Sequence, residues 1–239
     1  MRWRWSEGWR KRTERPELNV ILFGATGMIG QGVLRECLLD TDVTRVLTIG
    51  RTATGVKHAK LQEIVHPDLW NYATIKDRLR GFDACFFCLG VTSAGMSEAD
   101  YSRVTYGITT AAAETLCQLN PAMTFVFVSG AGADSSEQGR LMWARVKGKT
   151  ENAIIRLPFK ASYVFRPGIV QPMHGERSRT TAYRVLYAIT RPLVPLIRRL
   201  TPNQILTTEQ FGRAMLFVVR HGAPKRVLES SDINALVPA

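Results

Sequence analysis

The run Gly24-Ala25-Thr26-Gly27-Met28-Ile29-Gly30 decides the fold of this chain. It follows the apolar stretch 18–23, Leu-Asn-Val-Ile-Leu-Phe, which is typical of a buried strand. It leads into residues 31–39, which we predict to be helical. A strand, a glycine-rich turn and a helix start form a phosphate cradle, because free backbone N–H groups and the helix dipole favour an anion there. The sequence therefore predicts a dinucleotide-binding site.

The order of apolar runs along the chain indicates the fold class. Beyond the first strand, we predict strands at 45–51, 61–65, 84–89, 124–129 and 161–166, and helices at 69–79, 97–119 and 141–155. Strands that alternate with helices indicate an α/β protein with a doubly wound parallel sheet covered on both faces. We expect one Rossmann-like domain over residues 18–239 of the 239-residue chain.

A small helical substrate lobe is expected near the end of this domain, around residues 170–222. Thr207 and Gln210 have the spacing of a capping box, and Gly222 is a helix stop signal. Residues 177–200 contain two prolines and predict two short helices. Arginines recur there every seven residues, at 177, 184, 191 and 198. They would contact an anionic ligand, or they would form a solvated helical face.

The formal net charge of +12 is confined to one half of the chain. Residues 1–139 carry 15 basic and 15 acidic side chains, whereas residues 140–239 carry 17 basic and 5 acidic ones. An anionic partner for the second half is expected: a dinucleotide phosphate, an acidic substrate or a membrane surface. A solvated basic surface is the alternative. Nucleic acid is not expected as a partner, because no motif for it is visible.

Residues 1–17 form a basic, tryptophan-rich segment without the continuous apolar core of a signal peptide. We expect a disordered extension. An interfacial membrane anchor is the alternative, because Trp and Arg suit the headgroup boundary. No stretch of 18 apolar residues without charges occurs, so a membrane-spanning helix is not expected.

Four cysteines, at 37, 85, 88 and 117, lack the spacing of a disulfide framework and suit a reducing compartment. Cys85 and Cys88 form a C-x-x-C pair, but residues three apart on a strand point to opposite faces. We therefore predict core cysteines and no metal site. A cytoplasmic location is expected, with peripheral attachment to a membrane as an addition.

At this point the chain resembles the short-chain dehydrogenases/reductases. Within them it is similar to the extended and atypical branch, with its epimerase-like and Tat-interacting-protein-like reductases. The G-x-x-G-x-x-G spacing matches this branch, and the resemblance covers most of residues 18–239. It implies an oxidoreductase that binds NAD(P). The turn residues expected to contact the cofactor are Gly24, Thr26, Gly27, Met28, Ile29 and Gly30.

Arg51 follows the second strand, at a position where relatives that prefer NAD carry an acidic residue. No Asp or Glu occurs at positions 49–53. A guanidinium suits the 2′-phosphate of NADP by its charge and its planar donor fork. NADP is therefore expected in preference to NAD, with a solvated arginine as the alternative.

Two further segments match the family and complete the expected cofactor site. Leu89, Gly90 and Val91 resemble the stretch that passes beneath the adenine ribose and pyrophosphate. Arg166, Pro167 and Gly168 resemble the R-P-G segment that positions the nicotinamide end and opens the substrate lobe.

The catalytic positions depart from the family pattern. Ser129 ends the fifth strand, where a serine in the family bonds to the substrate. Lys147 fits the lysine of Y-x-x-x-K, which binds the nicotinamide ribose, but Trp143 stands in place of the tyrosine. An indole N–H is a donor only and does not supply the proton that a tyrosine would.

Two residues are candidates for the missing proton donor. His174 lies just beyond the R-P-G segment, and its unperturbed pKa would be about 6.5. Tyr106 lies on the long helix 97–119. The sequence thus supports an NADPH-dependent reductase with a non-standard proton donor and an unknown small-molecule substrate. The alternative is a catalytically silent NADP-binding protein that acts as a redox sensor or an assembly factor.

Overall fold

A computed structural model describes residues 17–176 and 205–237. Its strands are β1 Leu18–Phe23, β2 Val43–Gly50, β3 Leu61–Val65, β4 Ala84–Phe87, β5 Thr124–Val128, β6 Ala161–Arg166, β7 Ile169–Gln171, β8 Ile205–Thr207 and β9 Val227–Glu229. Its α-helices are α1 Met28–Leu39, α2 Glu98–Ser102, α3 Ile108–Leu119, α4 Met142–Arg156, α5 Thr208–His221 and α6 Ser230–Leu236. The extension 1–16, the segment 177–204 with its expected helices and spaced arginines, and residues 238–239 lie outside this description.

Seven strands form one parallel sheet in the order β3-β2-β1-β4-β5-β6-β9. β7 and β8 form a separate parallel pair. The chain runs outward from β1 to β3 and then returns to β4 on the other side of β1. The carboxyl ends of β1 and β4 therefore flank the crevice in which α/β sheets bind ligands. The expected doubly wound Rossmann-like fold is confirmed.

The two faces of the sheet carry separate apolar cores. Along β1, Val20 and Leu22 face the core beneath α1 and α5, whereas Ile21 and Phe23 face the core beneath α3. All four side chains are fully buried. This arrangement explains why the strands consist of continuous apolar runs, since both faces of the sheet are covered.

Helix α5 packs closely against α1 in the first of these cores. The predicted capping box is confirmed, because the Thr207 side chain accepts from the Gln210 N–H and the Gln210 side chain accepts from the Thr207 N–H. Gly222 is its C-cap, with a φ of 75°. Part of the expected lobe, residues 170–222, therefore belongs to the main body of the domain as helix α5.

Several elements differ from their expected form. Residues 69–79 contain only a 3₁₀ segment, Ala73–Leu79, instead of an α-helix. The side chains of Asp68 and Asn71 accept bonds from the N–H groups two residues later, and such local bonds compete with a helix. The predicted helix 97–119 is divided into α2, a π-turn at Arg103–Gly107, and α3.

The C-terminal strands β7, β8 and β9 were not predicted, because three residues are too few to show a periodicity.

Cys85 lies inside β4, and burial raises the pKa of its thiol, as predicted for a core cysteine. Within the ranges that the structure covers, no helix is long and apolar enough to span a membrane.

The substitution Gly32→Ala should destabilise the protein. A Cβ on Gly32 would lie 2.6 Å from Cβ of Thr208, so α1 and α5 would have to separate. We expect the free energy of unfolding in urea to fall by about 1–3 kcal/mol, although alanine favours a helix. Gly50→Ala is the control, because its Cβ would meet nothing closer than 3.8 Å. Equal losses in both variants would contradict this close packing.

Candidate cofactor and active site

The glycine turn is held in place by steric constraints at two positions. Gly24 has a φ of +75°, and a Cβ on it would lie 2.6 Å from the carbonyl carbon of Cys88. A Cβ on Gly30 would overlap the carbonyl oxygen of Gly24. The Gly27 N–H donates to the Gly24 carbonyl over 2.9 Å, and α1 begins at Met28. The turn thereby aims the first N–H groups of α1 at the crevice beside β4.

A small cavity of about 60 Å³ lies at one end of this turn. Gly24, Thr26, Arg51 and Leu89 line it, as expected for the adenosine end of a dinucleotide site. The Arg51 side chain is exposed. Met28 and Ile29 are partly buried against the core, and a Cβ on Gly90 would meet open space.

Glu63 of β3 also lines this cavity, and the sequence analysis missed it. Its carboxylate accepts from the Thr54 N–H over 2.8 Å and from the Thr48 hydroxyl over 3.2 Å. Thr48 and Glu63 are partners in the β2–β3 register. Such pairing depends on strand register, which the sequence did not specify.

A second cavity, of about 420 Å³, lies beyond the carboxyl ends of β4, β5 and β6. The structure brings together here three side chains that the sequence singled out, Ser129, Trp143 and Lys147. The other lining residues are Val91, Thr92, Ser93, Tyr101, Gly130, Ala131, Pro167 and Gly168. The arrangement brings together the serine and the lysine that the family resemblance predicts, with an indole where the family pattern has a phenol.

Two contacts fix α4, which carries Trp143 and Lys147. Arg145 forms an ion pair with Glu98 of α2, with 2.6 Å between Nη2 and Oε2. A Cβ on Gly148 would overlap the carbonyl oxygen of Asp134, so α4 lies directly against the loop after β5. The spacing of four residues places Trp143 and Lys147 one helical turn apart, on the same face.

The ammonium group of Lys147 lies in a partly desolvated position. Burial lowers the pKa of Lys147 to about 8, and the neighbouring Glu151 carboxylate opposes this shift. Its Nζ lies 5.5 Å from the ring centroid of Phe127. Lys147 therefore changes charge within the range of physiological pH.

Glu151 is a fully buried carboxylate beside this cavity, and the sequence analysis did not identify it. The Ser129 hydroxyl donates to its Oε1. The Arg166 guanidinium donates to it through Nε, at 3.1 Å and 3.2 Å from the two carboxylate oxygens. The position four residues after Lys147 in a helix was the available signal, because it places Glu151 on the same face.

Arg166 is directed into this network. Besides Glu151, it donates to Glu229 over 3.2 Å and to Ser135 Oγ over 2.7 Å. The residues of the expected R-P-G segment that line the cavity are Pro167 and Gly168. Arg166 therefore holds Glu151 next to the site and does not itself line the cavity.

Neither candidate for the missing proton donor lines the Ser129 cavity. His174 Nε2 lies 3.2 Å from Glu209 Oε2, and His174 lines a separate cavity of about 650 Å³. Tyr106 packs against Lys149, whose Nζ lies 4.8 Å from the ring centroid. Within residues 17–176 and 205–237, the tyrosine that lines the cavity is Tyr101, which is 2% exposed.

The fold and the glycine cradle define a Rossmann-type dinucleotide-binding protein of the atypical short-chain dehydrogenase/reductase class. The family model described as NAD(P)H-binding matches residues 24–157, and the chain belongs to this family. The resemblance inferred from the glycine spacing is thereby confirmed.

Similar sequences come from fungi. Protein FMP52-2, mitochondrial, of Scheffersomyces stipitis is 30% identical over 200 residues, which cover 81% of this chain and 82% of that protein. Protein FMP52-1, mitochondrial, of the same organism is 30% identical over 162 residues, which cover 67% and 69% of the two chains. These names specify no activity.

Similar solved structures support the fold. WbmF of Bordetella bronchiseptica in complex with NAD+ has a TM-score of 0.66 at 14% identity, covering 93% of this chain and 77% of that one. A short-chain dehydrogenase/reductase family oxidoreductase from Burkholderia thailandensis has a TM-score of 0.62 at 19% identity, covering 92% and 93%.

The expectation of a cytoplasmic location is wrong by this comparison, since both fungal relatives carry the word mitochondrial in their names. The cysteine pattern distinguishes a reducing compartment from an oxidising one. It does not distinguish one reducing compartment from another.

Lys147 should react with an amine-directed reagent at lower pH than exposed lysines. Its pKa of about 8 leaves about half of it as free amine at pH 8, whereas an exposed lysine titrates near ~10.4. Labelling at a series of pH values, read by peptide mass spectrometry, should give half-maximal modification near pH 8. The exposed lysines in the same digest are the internal control, and a common midpoint for all lysines would contradict the lowered pKa.

Proposed function

We propose that this protein is an NADPH-dependent oxidoreductase that reduces a small molecule without a tyrosine as proton donor. The observation that carries the proposal is the cavity shared by Ser129, Trp143 and Lys147, at the same carboxyl edge of the sheet as the glycine cradle. The bound cofactor would supply the hydride. The Gly24–Gly30 turn would hold its pyrophosphate, and Lys147 would hold its nicotinamide ribose.

The choice of substrate follows from the missing acid. General acid catalysis contributes about 100- to 10,000-fold, so its loss is severe for a carbonyl substrate. The loss matters less for a quinone or a flavin, whose reduced form takes its proton from water. Trp143 can still donate an N–H bond to such an acceptor or stack on its ring.

A catalytically silent NADP-binding sensor or assembly factor is the second candidate. Trp143 at the position of the acid favours it, because the cofactor cradle is complete while the usual proton donor is absent. NADPH binding without turnover of quinones, flavins or carbonyl compounds would support this second candidate against the first.

The substitution Arg51→Ala should weaken the binding of NADPH and leave that of NADH nearly unchanged. Only NADPH carries the 2′-phosphate that a guanidinium at this position would contact. A hydrogen bond to a charged group predicts a loss of about tenfold or more in NADPH affinity. Titrations followed by intrinsic tryptophan fluorescence measure both affinities.

Arg80→Ala is the control for this titration, because Arg80 is another exposed arginine, paired with Asp77 at 3.9 Å. Equal losses for the two cofactors in the Arg51 variant would refute selection of the 2′-phosphate. So would a wild-type protein that binds NADH as tightly as NADPH.

The substitution Trp143→Tyr should raise the NADPH-dependent reduction of carbonyl compounds by about 100-fold or more, because it restores a general acid next to Lys147. Oxidation of NADPH, followed by its absorbance with a panel of carbonyl compounds, quinones and flavins, measures this gain. Trp70→Tyr is the matched control, since Trp70 is 44% exposed and bonds to the Arg103 carbonyl. A folded Trp143 variant without any gain would count against an active-site role for this position.

A further inference from the structure

The hydrogen bonds around Glu151 fix its charge. Its two oxygens together accept from Nε and Nη2 of Arg166. An arginine has donors only and stays protonated, and a guanidinium that donates to both oxygens of one carboxyl group favours the ionised carboxylate. Glu229 also pairs with Arg166, at 3.2 Å. Because Glu151 is fully buried, removal of its charge would leave a buried guanidinium only partly neutralised.

This charge fixes the direction of the Ser129 hydroxyl. A serine has one proton and two lone pairs, and an ionised carboxylate cannot donate to it. Ser129 must therefore donate its hydroxyl proton in the hydrogen bond to Glu151 Oε1. The Ser129 N–H donates to the Phe165 carbonyl over 2.8 Å, which holds the backbone at this position, and the residue is only 7% exposed.

We propose that Glu151 is a positioning residue that makes Ser129 a hydrogen-bond acceptor towards the cavity, so that the site selects a ligand with a hydroxyl or N–H group at this point. Lone pairs of Ser129 repel a bare carbonyl or ether oxygen. A carbonyl at this point would force the Ser129 hydroxyl to reverse, and Glu151 Oε1 would lose the hydrogen bond from Ser129.

The inference rests on the proposed function and names its substrate class. Among the acceptors proposed above, the site selects those that also bear a hydroxyl or N–H group, such as a hydroxyquinone or a flavin, and this donor group contacts Ser129. The Trp143 indole and the Lys147 ammonium line the same cavity and have donors only, so they suit an accepting group of the same ligand. The cavity therefore brings the acceptor Ser129 together with two donor groups on α4.

Phenol and anisole test this polarity, because they share a ring, differ in one hydroxyl proton and do not react with NADPH. Their dissociation constants from the NADPH-loaded protein can be measured by ligand-observed NMR. We expect phenol to bind wild type about tenfold more tightly than anisole, as one hydrogen bond allows. In Glu151→Gln the ratio should approach one, because a carboxamide can donate to Ser129 and let it reverse.

Ser129→Ala provides a second route to the same result if Glu151→Gln fails to fold, and it should also bring the ratio close to one. A tenfold ratio that persists in the folded variants would show a steric effect of the methyl group and would overturn the proposal. An equal affinity of wild type for both probes, or no binding of either, would do the same.

The same samples separate the two proposals. NADPH is titrated before the probes, so a protein that binds no NADPH fails the proposed function itself. In Glu151→Gln the labelling midpoint of Lys147 should move to lower pH, because the Glu151 carboxylate raises the Lys147 pKa. A purely structural role for Glu151 would leave the Lys147 midpoint unchanged. An unchanged midpoint would therefore contradict the placement of the Glu151 charge.

Discussion

The candidate site depends on the buried ion pair between Glu151 and Arg166. It joins α4 to β6, and its further partners Ser129 and Glu229 extend it to the ends of β5 and β9. Removal of one partner from such a pair typically costs about 3–5 kcal/mol, because the other charge stays buried. One electrostatic contact therefore holds the carboxyl edge of the sheet and orients the groups that face the cavity.

Much of the fold could be predicted from local sequence. The apolar runs predicted the strands of the sheet interior, because a strand covered on both faces needs apolar side chains throughout. The glycine spacing predicted the cradle, since the close approach of Gly24 to Cys88 leaves no room for a Cβ. The spacing of Trp143 and Lys147 placed both on one helix face, and the cavity confirms that they lie together.

Features that depend on long-range geometry could not be predicted. Glu63 reaches the small cavity at the glycine turn through the register of β2 and β3, and Tyr101 reaches the second cavity through the path of the chain after β4. The burial of Glu151 could not be predicted, because its partner Arg166 lies on β6, 15 residues further along the chain. Each case depends on how segments that are not adjacent in the sequence pack against one another.

The π-turn at Arg103–Gly107 has a consequence for the helix that contains it. A wider turn absorbs an extra residue, and one residue corresponds to about 100° of helical rotation. The half before the turn can therefore present Tyr101 to the cavity while the half after it packs Ile108 and Leu116 into the core. The two halves are out of phase, so the half that faces the cavity can change in sequence without disturbing the periodicity that the core half must keep.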